Sequence, residues 1–355
     1  MSAEIYQEAI RQVEICNACR YCEGYCSVFP AIQRQRGFNE ADVIQFANLC
    51  HNCRGCYYAC QYTEPHEFAL NLPAILARAR SASWQAQTFP GGLSRCFQKS
   101  GVAIALILIM AVSLLLWLTR QTATAEAGQF YDVLSHGWMV SLFLPAFILP
   151  VLVIVMSISR YWKVVGGVRP TGQQFIAAIL SAGRMENLAG GHGDGCNFED
   201  EDRFSNSRRW FHQATMVGFL LCFLSTTVAT VMHYGFEMPA PYPLLSLPKL
   251  FGLSGGFLLC GGSLGLMILK LRSDSKLSDA SVAGAEMAFV LLLFLTAATG
   301  LLLYFAGQSS WLPEILSIHL GSVLAFFLLT PYTKMMHGFY RFAALLRDEQ
   351  IKTQI

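Results

Sequence analysis

Two cysteine runs repeat one spacing: CNACRYCEGYC from Cys16 to Cys26 and CHNCRGCYYAC from Cys50 to Cys60, each C-x2-C-x2-C-x3-C. Thiolates at this spacing point to iron–sulfur chemistry. Three cysteines on a tight loop present sulfur to three irons of one cubane. The fourth, one turn into the following helix, points elsewhere, and in two-cluster ferredoxins it ligates the other cluster. The expected sets are therefore Cys16, Cys19, Cys22 and Cys60 for one [4Fe–4S] cluster, and Cys50, Cys53, Cys56 and Cys26 for the second. Structural zinc is one rival use of the thiols, but it usually joins paired C-x2-C units far apart in sequence. Disulfides are the other, and a reducing compartment disfavours them. The pattern departs from the usual motif in one respect: no proline directly follows the fourth cysteine, and Pro30 and Pro65 come four and five residues later. That departure bears on the crossover of ligands rather than on the cluster type.

A second ligand type is histidine. His136, His212, His233, His319 and His337 lie at or inside long apolar segments. A single histidine there can simply hydrogen-bond across helices, yet ionisable groups inside a membrane are costly and usually mark a site. Read as one helix, His319 and His337 share a face with a rise of roughly 27 Å, and His212 and His233 lie about 60° from eclipsed over roughly 31 Å. Two helices would each present a histidine near either membrane surface. That arrangement suits axial ligation of haem iron, with His212–His337 as an inner pair and His233–His319 as an outer pair. His136 also lies at the outer side and can substitute for either outer ligand. One or two b-type haems are expected. The remaining candidates have blander readings: Cys222 and Cys260 as small core residues, Cys96 where the first span begins, Cys196 as a structural residue among glycines. His51 and His66 fall in the iron–sulfur domain, where His51, next to a ligand, is expected to pack near the cluster rather than tune it by hydrogen bonding, and His192 with Cys196 gives only half a metal site with no evident partner.

These ligands need elements to hold them. The chain has 355 residues, of which 54% are hydrophobic and 14% charged, too few charges to cover a water-exposed surface. The polar start MSAEIYQEAIRQVEI reads as a short amphipathic helix, not a signal peptide. Six apolar segments reach the length of about 20 residues needed to cross a bilayer: 97–119, 133–159, 210–234, 247–269, 282–306 and 314–337. Internal glycine and proline are tolerated there when neighbouring helices satisfy the freed backbone groups. With residues 1–99 inside, the inner regions carry 9, 7, 3 and 4 Lys or Arg, together 23 of 25, and only Arg120 and Lys249 lie outside. Excess Lys and Arg on one side places that side in the cytoplasm. The charge pattern thus reflects a membrane, and the net charge of +2 gives no sign of nucleic acid.

The expected fold is all-α. Residues 1–95 form a cytoplasmic, ferredoxin-like helical domain with two [4Fe–4S] clusters. Residues 96–340 form a six-helix transmembrane bundle of cytochrome b type with a cytoplasmic loop at 160–209, and 341–355 are a cytoplasmic tail. The loop carries GGHGDGC and EDED and is long enough to be functional. The outer connection PAPYPLLSLP is rigid.

Several stretches carry a family resemblance: CHNCRGCYYACQYTEPHEFALNLP, SNSRRWFHQATMVGFLLCFLSTTVATVMHY, PAPYPLLSLP and HLGSVLAFFLLTPYTKMMHGFYRFAALL. Together they resemble the tricarballylate/citrate-utilisation protein B family over most of the chain. The resemblance implies a bacterial inner-membrane protein carrying [4Fe–4S] clusters and b-type haem. It also implies a task, the reoxidation of reduced FAD on a cytosolic partner dehydrogenase that converts tricarballylate to cis-aconitate, with electrons passed to membrane quinone. Family sequences often place a second histidine after His212; here Gln213 stands there, so that position is not a required ligand. Two other readings remain open on the residues alone. One is a redox subunit for a different flavoprotein or a heterodisulfide-type reductase. The other is a tricarboxylate transporter with a redox-sensing domain, which the scarcity of basic residues within the spans disfavours.

Overall fold

The computed structural model describes residues 2–119, 133–185, 195–197, 203–238, 240–274, 277 and 280–353, and among them it is helical with no strand; an antiparallel bridge joins Cys196 to Ser205. Five helices precede the bundle: α1 Ser2–Cys19, α2 Val28–Gln33, α3 Glu40–Leu49, α4 Gly55–Tyr58 and α5 Leu72–Gln87. Their ends are written locally. Asn39 accepts from the Ala41 and Asp42 amides while Asp42 returns a bond to the Asn39 amide, closing a capping box at α3. Asn71 accepts from the Ala74 amide, and Pro73 stands in the first turn of α5, where its missing N–H costs nothing. The helices converge on Val13, Val43, Phe46, Leu49, Leu76 and Ala79, all essentially without solvent exposure.

Six helices are long and apolar enough to cross a membrane. They are α6 Gly91–Leu118, α7 His136–Val164, α9 Ser207–Gly235, α10 Leu247–Leu271, α11 Ala280–Ala306 and α12 Leu312–Leu329, whose span is continued by α13 Met336–Lys352. Exposed Leu106, Ile107, Met110 and Leu114 on α6, with Leu144, Ile148 and Leu152 on α7, form outward apolar faces suited to lipid. Packing inside the bundle relies on small residues. A Cβ on Gly218 of α9 would stand 2.4 Å from the Leu259 amide nitrogen and 2.8 Å from the Gly255 carbonyl oxygen of α10. Backbones in such contact tolerate only glycine. We expect Gly218→Val to lower stability in detergent by about 1–3 kcal/mol through overpacking. A thermal-unfolding midpoint equal to the parent's would show that α9 and α10 do not meet there.

The sixth span differs from a single helix over 314–337. A 3-10 turn at Thr330–Tyr332 separates α12 from α13, because Pro331 offers no N–H to continue the α-helical ladder. His319 and His337 therefore sit on different helices, and their face relation cannot be read at 100° per residue. Residues 341–352 belong to α13, whose Ala343, Ala344, Leu345, Leu346 and Asp348 are buried in one core with α1–α5 and the inner end of α7. The contacts are specific. Tyr161 donates to Gln45 Oε1 at 2.6 Å, Gln45 donates to the Ala344 carbonyl at 2.8 Å, and Trp84 stacks on Tyr340 at 5.3 Å. Arg34 pairs with buried Asp348.

Between α7 and α9, Thr171 and Gln174 close a capping box that starts α8, Gly172–Arg184, an element hidden in the sequence by its place in a polar connection. His192 lies outside the described residues. At the inner end of the bundle, Glu286 of α11 pairs with Lys334 at 2.6 Å and with Lys270 of α10, tying three elements by charge.

Candidate functional site

The first group of thiols forms where α1 ends. Cys16 and Cys19 lie in its last turn, and Arg20 follows in a left-handed conformation (φ 58°), which turns the chain so that Cys22 faces back. A cavity of about 230 Å³ is lined by Cys16, Cys19, Cys22, Cys56 and Cys60, with Phe29 among its apolar walls. Burial, and then the neighbouring sulfurs, push the Cys16 and Cys22 thiols up to about 12. Thiolates can be gathered there only if a cationic centre compensates them.

The second group faces the bundle. Cys26, Cys50, Cys53 and Cys56 line a tighter space of about 20 Å³. Asn52 and Arg54 adopt left-handed conformations (φ 53° and 66°), which curl the loop so that its sulfurs share one side. Burial raises the Cys26, Cys50 and Cys56 thiols, the hydrogen bond with Cys196 and then burial raise Cys53, and at Cys50 the nearby Arg80 and Arg341 oppose the shift. Amide donors reach sulfur in both groups, from Asn52 to Cys50 Sγ and from Tyr62 to Cys60 Sγ, each at 3.4 Å. Such bonds stabilise a reduced cluster. Among the described residues, no three His, Cys, Asp or Glu converge tightly enough for a single metal ion. Each set of four thiols lines a common space, a donor set that fits an iron–sulfur cluster.

Cys60 thus lies with the first run and Cys26 with the second. The proximity of the sixth-span residues to the second group is the main feature that sequence reasoning missed. Arg341 of α13 donates to the Cys50 carbonyl at 2.6 Å, and Arg208 of α9 donates to the His51 and Asn52 carbonyls at 3.1 and 2.8 Å. Cys196 is buried against Cys53, not merely set among glycines. The two share a hydrogen bond that favours thiolate on one and thiol on the other, and the Asn197 amide donates to the Cys53 carbonyl at 3.0 Å. His51 lies beneath the same loop, its Nδ1 donating to the Leu49 carbonyl at 3.2 Å; burial, then Arg341 and Arg208, hold it well below its ordinary pKa. His66 instead packs on Tyr62 and Phe68.

The membrane histidines divide in two. His212 of α9 and His337 of α13 come together, with ring centres 5.9 Å apart and planes at 84°. Given metal–imidazole bonds of about 2 Å, two rings on opposite sides of one iron stand roughly 6 Å apart. His337 Nδ1 donates to the Lys334 carbonyl, which leaves Nε2 with its lone pair. His212 Nδ1 is buried with no hydrogen-bond partner among the described residues. This pair fits an axial ligand set.

The outer histidines are placed differently from the expected His233–His319 pair. His233 stacks on His136 with centres 4.6 Å apart and planes at 15°, and Tyr234 engages His136 Nε2 at 3.2 Å. Parallel rings in face contact leave no room for a metal between them. His319 turns to α11, where Thr299 Oγ1 lies 3.1 Å from its Nδ1 and Gly300 leaves space for the ring. Because the Thr299 hydroxyl donates to the Leu295 carbonyl at 2.7 Å, it accepts from His319. The arrangement at the outer side does not fit a bis-histidine haem as placed. Cys222 and Cys260 pack against the bundle core, and Cys96 is exposed.

Comparison with known proteins gives a consistent assignment. Residues 9–86 match the family described as the citrate utilization protein B Fer4-like domain, and residues 96–354 match citrate utilization protein B. Citrate utilization protein B of Escherichia coli is 40% identical over 345 residues, covering 96% of this chain and 91% of that protein. No solved structure matches the chain significantly. A Fer4-like head joined to six apolar membrane-length helices, matched over nearly the whole length, places this chain in the citrate utilization protein B family.

Proposed function

We propose that this chain is a multi-pass electron-transfer protein of the bacterial inner membrane, with both termini in the cytoplasm. In this reading it reoxidises the reduced FAD of a cytosolic dehydrogenase of the tricarballylate-oxidising kind and delivers the electrons to membrane quinone. Cys16, Cys19, Cys22 and Cys60 hold one [4Fe–4S] cluster; Cys50, Cys53, Cys56 and Cys26 hold the other; His212 and His337 hold one b-type haem. When bound, these groups accept and release single electrons, which lets a two-electron flavin be emptied stepwise. The chain's own residues place donors, exclude water and set charge.

One observation carries the reading. The loop bearing Cys50 and Cys53 is held directly by Arg208 and Arg341, which belong to the two helices that bring His212 and His337 together. A soluble thiol site and a membrane imidazole site are thus built as neighbours. The other thiol cavity borders exposed Tyr21, away from these arginines, and is the side available to a soluble donor. A carboxylate carrier reading gains little support, since Lys270 and Lys334 within the bundle are both taken by Glu286.

The test is composition followed by reduction. The purified protein should carry about eight irons in clusters per chain, and a haemochrome assay should find one haem more. Membranes containing both this protein and its partner dehydrogenase should show haem reduction on addition of the dehydrogenase's acid substrate. Zinc in place of iron, with no haem absorbance, would overturn the proposal.

A further inference from the structure

We propose that Arg208 and Arg341 are positioning residues that lock the second thiol loop onto the inner histidine pair and set the reduction potential on both sides of that junction. The inference rests on the reading above and adds to two residues already seen to hold the loop a role in setting potential.

The loop's backbone is gripped from outside along four successive carbonyls. Cys50 accepts from Arg341 at 2.6 Å and from Arg80 of α5 at 3.1 Å; His51 and Asn52 accept from the two arms of the Arg208 guanidinium at 3.1 and 2.8 Å; Cys53 accepts from the Asn197 amide at 3.0 Å. The first thiol loop is held by local bonds, such as Arg20 Nε to the Asn17 carbonyl at 3.2 Å. Carbonyl hydrogen bonds of this kind fix a loop without consuming a sulfur.

Each arginine is also one helical turn from a histidine of the pair. Arg208 and His212 stand at i and i+4 in RRWFH at the start of α9; His337 and Arg341 stand likewise in HGFYR at the start of α13. Residues at that spacing lie on one helix face. Two short arms therefore run from the thiol loop to the imidazoles, one through each helix. A shift of either helix moves a loop carbonyl and a ring together. The planar fork of arginine makes this grip directional, which a lysine cannot reproduce.

Charge supplies the second half of the argument. Arg80, Arg208 and Arg341 approach one loop, and like charges gather at low cost only around an anion. Four cysteine thiolates around a cluster provide that anion. Positive charge fixed beside a redox centre favours its reduced form, and the same two arginines lie beside His51 and the inner pair.

The experiment uses the full-length purified protein and the variants Arg208→Gln, Arg341→Gln, Arg208→Lys and Arg341→Lys. Iron and haem are quantified first. Paramagnetic resonance then follows the clusters, and absorbance follows the haem, through a reductive titration. We expect each glutamine variant to lower the reduction equilibrium constants of the second cluster and the haem by about tenfold, a fall of about 59 mV for a one-electron couple. The lysine variants keep the charge and should recover the midpoints, while the resonance lines of the reduced second cluster broaden because the planar fork no longer fixes the loop. Unchanged midpoints in glutamine variants with full iron and haem would overturn the inference. Should the glutamine variants lose their metal, the lysine variants decide: broadened cluster lines support the role, and wild-type lines with wild-type midpoints refute it. A wild-type protein lacking cluster signals or haem would instead sink the functional reading itself.

Discussion

Replacing Cys53 and Cys196 together by serine should remove one iron–sulfur centre and leave the other intact. The double change is needed because Cys196 is hydrogen-bonded to Cys53 and buried beside it, so it can offer sulfur where Cys53 is missing. Cluster iron should fall from about eight to about four per chain. The cavity of Cys16, Cys19, Cys22 and Cys60 is lined by neither Cys53 nor Cys196 and should keep its own signal. The functional effect is expected to be close to complete: haem in membranes should no longer be reduced through the partner dehydrogenase. Dithionite, which needs no relay, should still reduce it. Substrate-driven reduction that survives at the parent's rate would show that electrons do not pass by these thiols. Cys53→Ser alone is expected to fall between the two, and the size of the gap reports how far Cys196 substitutes.

The contrast between Cys53 and Cys196 shows what the sequence could reveal. Ligand identity was legible because metal chemistry is local: four thiols within eleven residues restrict the centre they can build. The apolar spans were legible because a bilayer imposes a length. Cys196 was not, since its meaning lies in a contact across 143 positions that no periodicity announces. Arg208 and Arg341 were hidden in another way. They read as ordinary inner-side positive charge, and only the fold turns their forks toward the Cys50–Asn52 carbonyls. The sixth span was misread despite a visible cue. Pro331 marks the break, but an apolar stretch scored by length alone runs through it. Residues 341–352, expected within a cytoplasmic tail, continue α13, and its Ala343, Ala344, Leu345 and Leu346 are buried in one core with the head residues. His337 reached His212 through a turn rather than along one helix, so the expected inner pair and the geometric route to it parted company.

That route decides which histidines matter for haem, and the second large effect is expected there. His337→Ala and His212→Ala should each abolish haem at the inner pair, with bound haem per polypeptide falling at least tenfold, by about the loss that follows removal of a supporting partner and more. Each variant removes one of two axial donors. The other ring cannot compensate, since His337 is oriented by the Lys334 carbonyl and His212 sits in the start of α9. His319→Ala should behave differently. Its Nδ1 is spent on Thr299, a contact whose loss disturbs the α11–α12 packing but touches neither inner ligand. His136→Ala and His233→Ala should separate a stacked pair at the outer surface and leave haem content unchanged. The five variants therefore sort by helix end rather than by residue type. Haemochrome per polypeptide is the measurement. Loss of haem in His319→Ala with full retention in His337→Ala would place the iron at the outer side, and would break the link between the haem and the thiol loop held by Arg208 and Arg341.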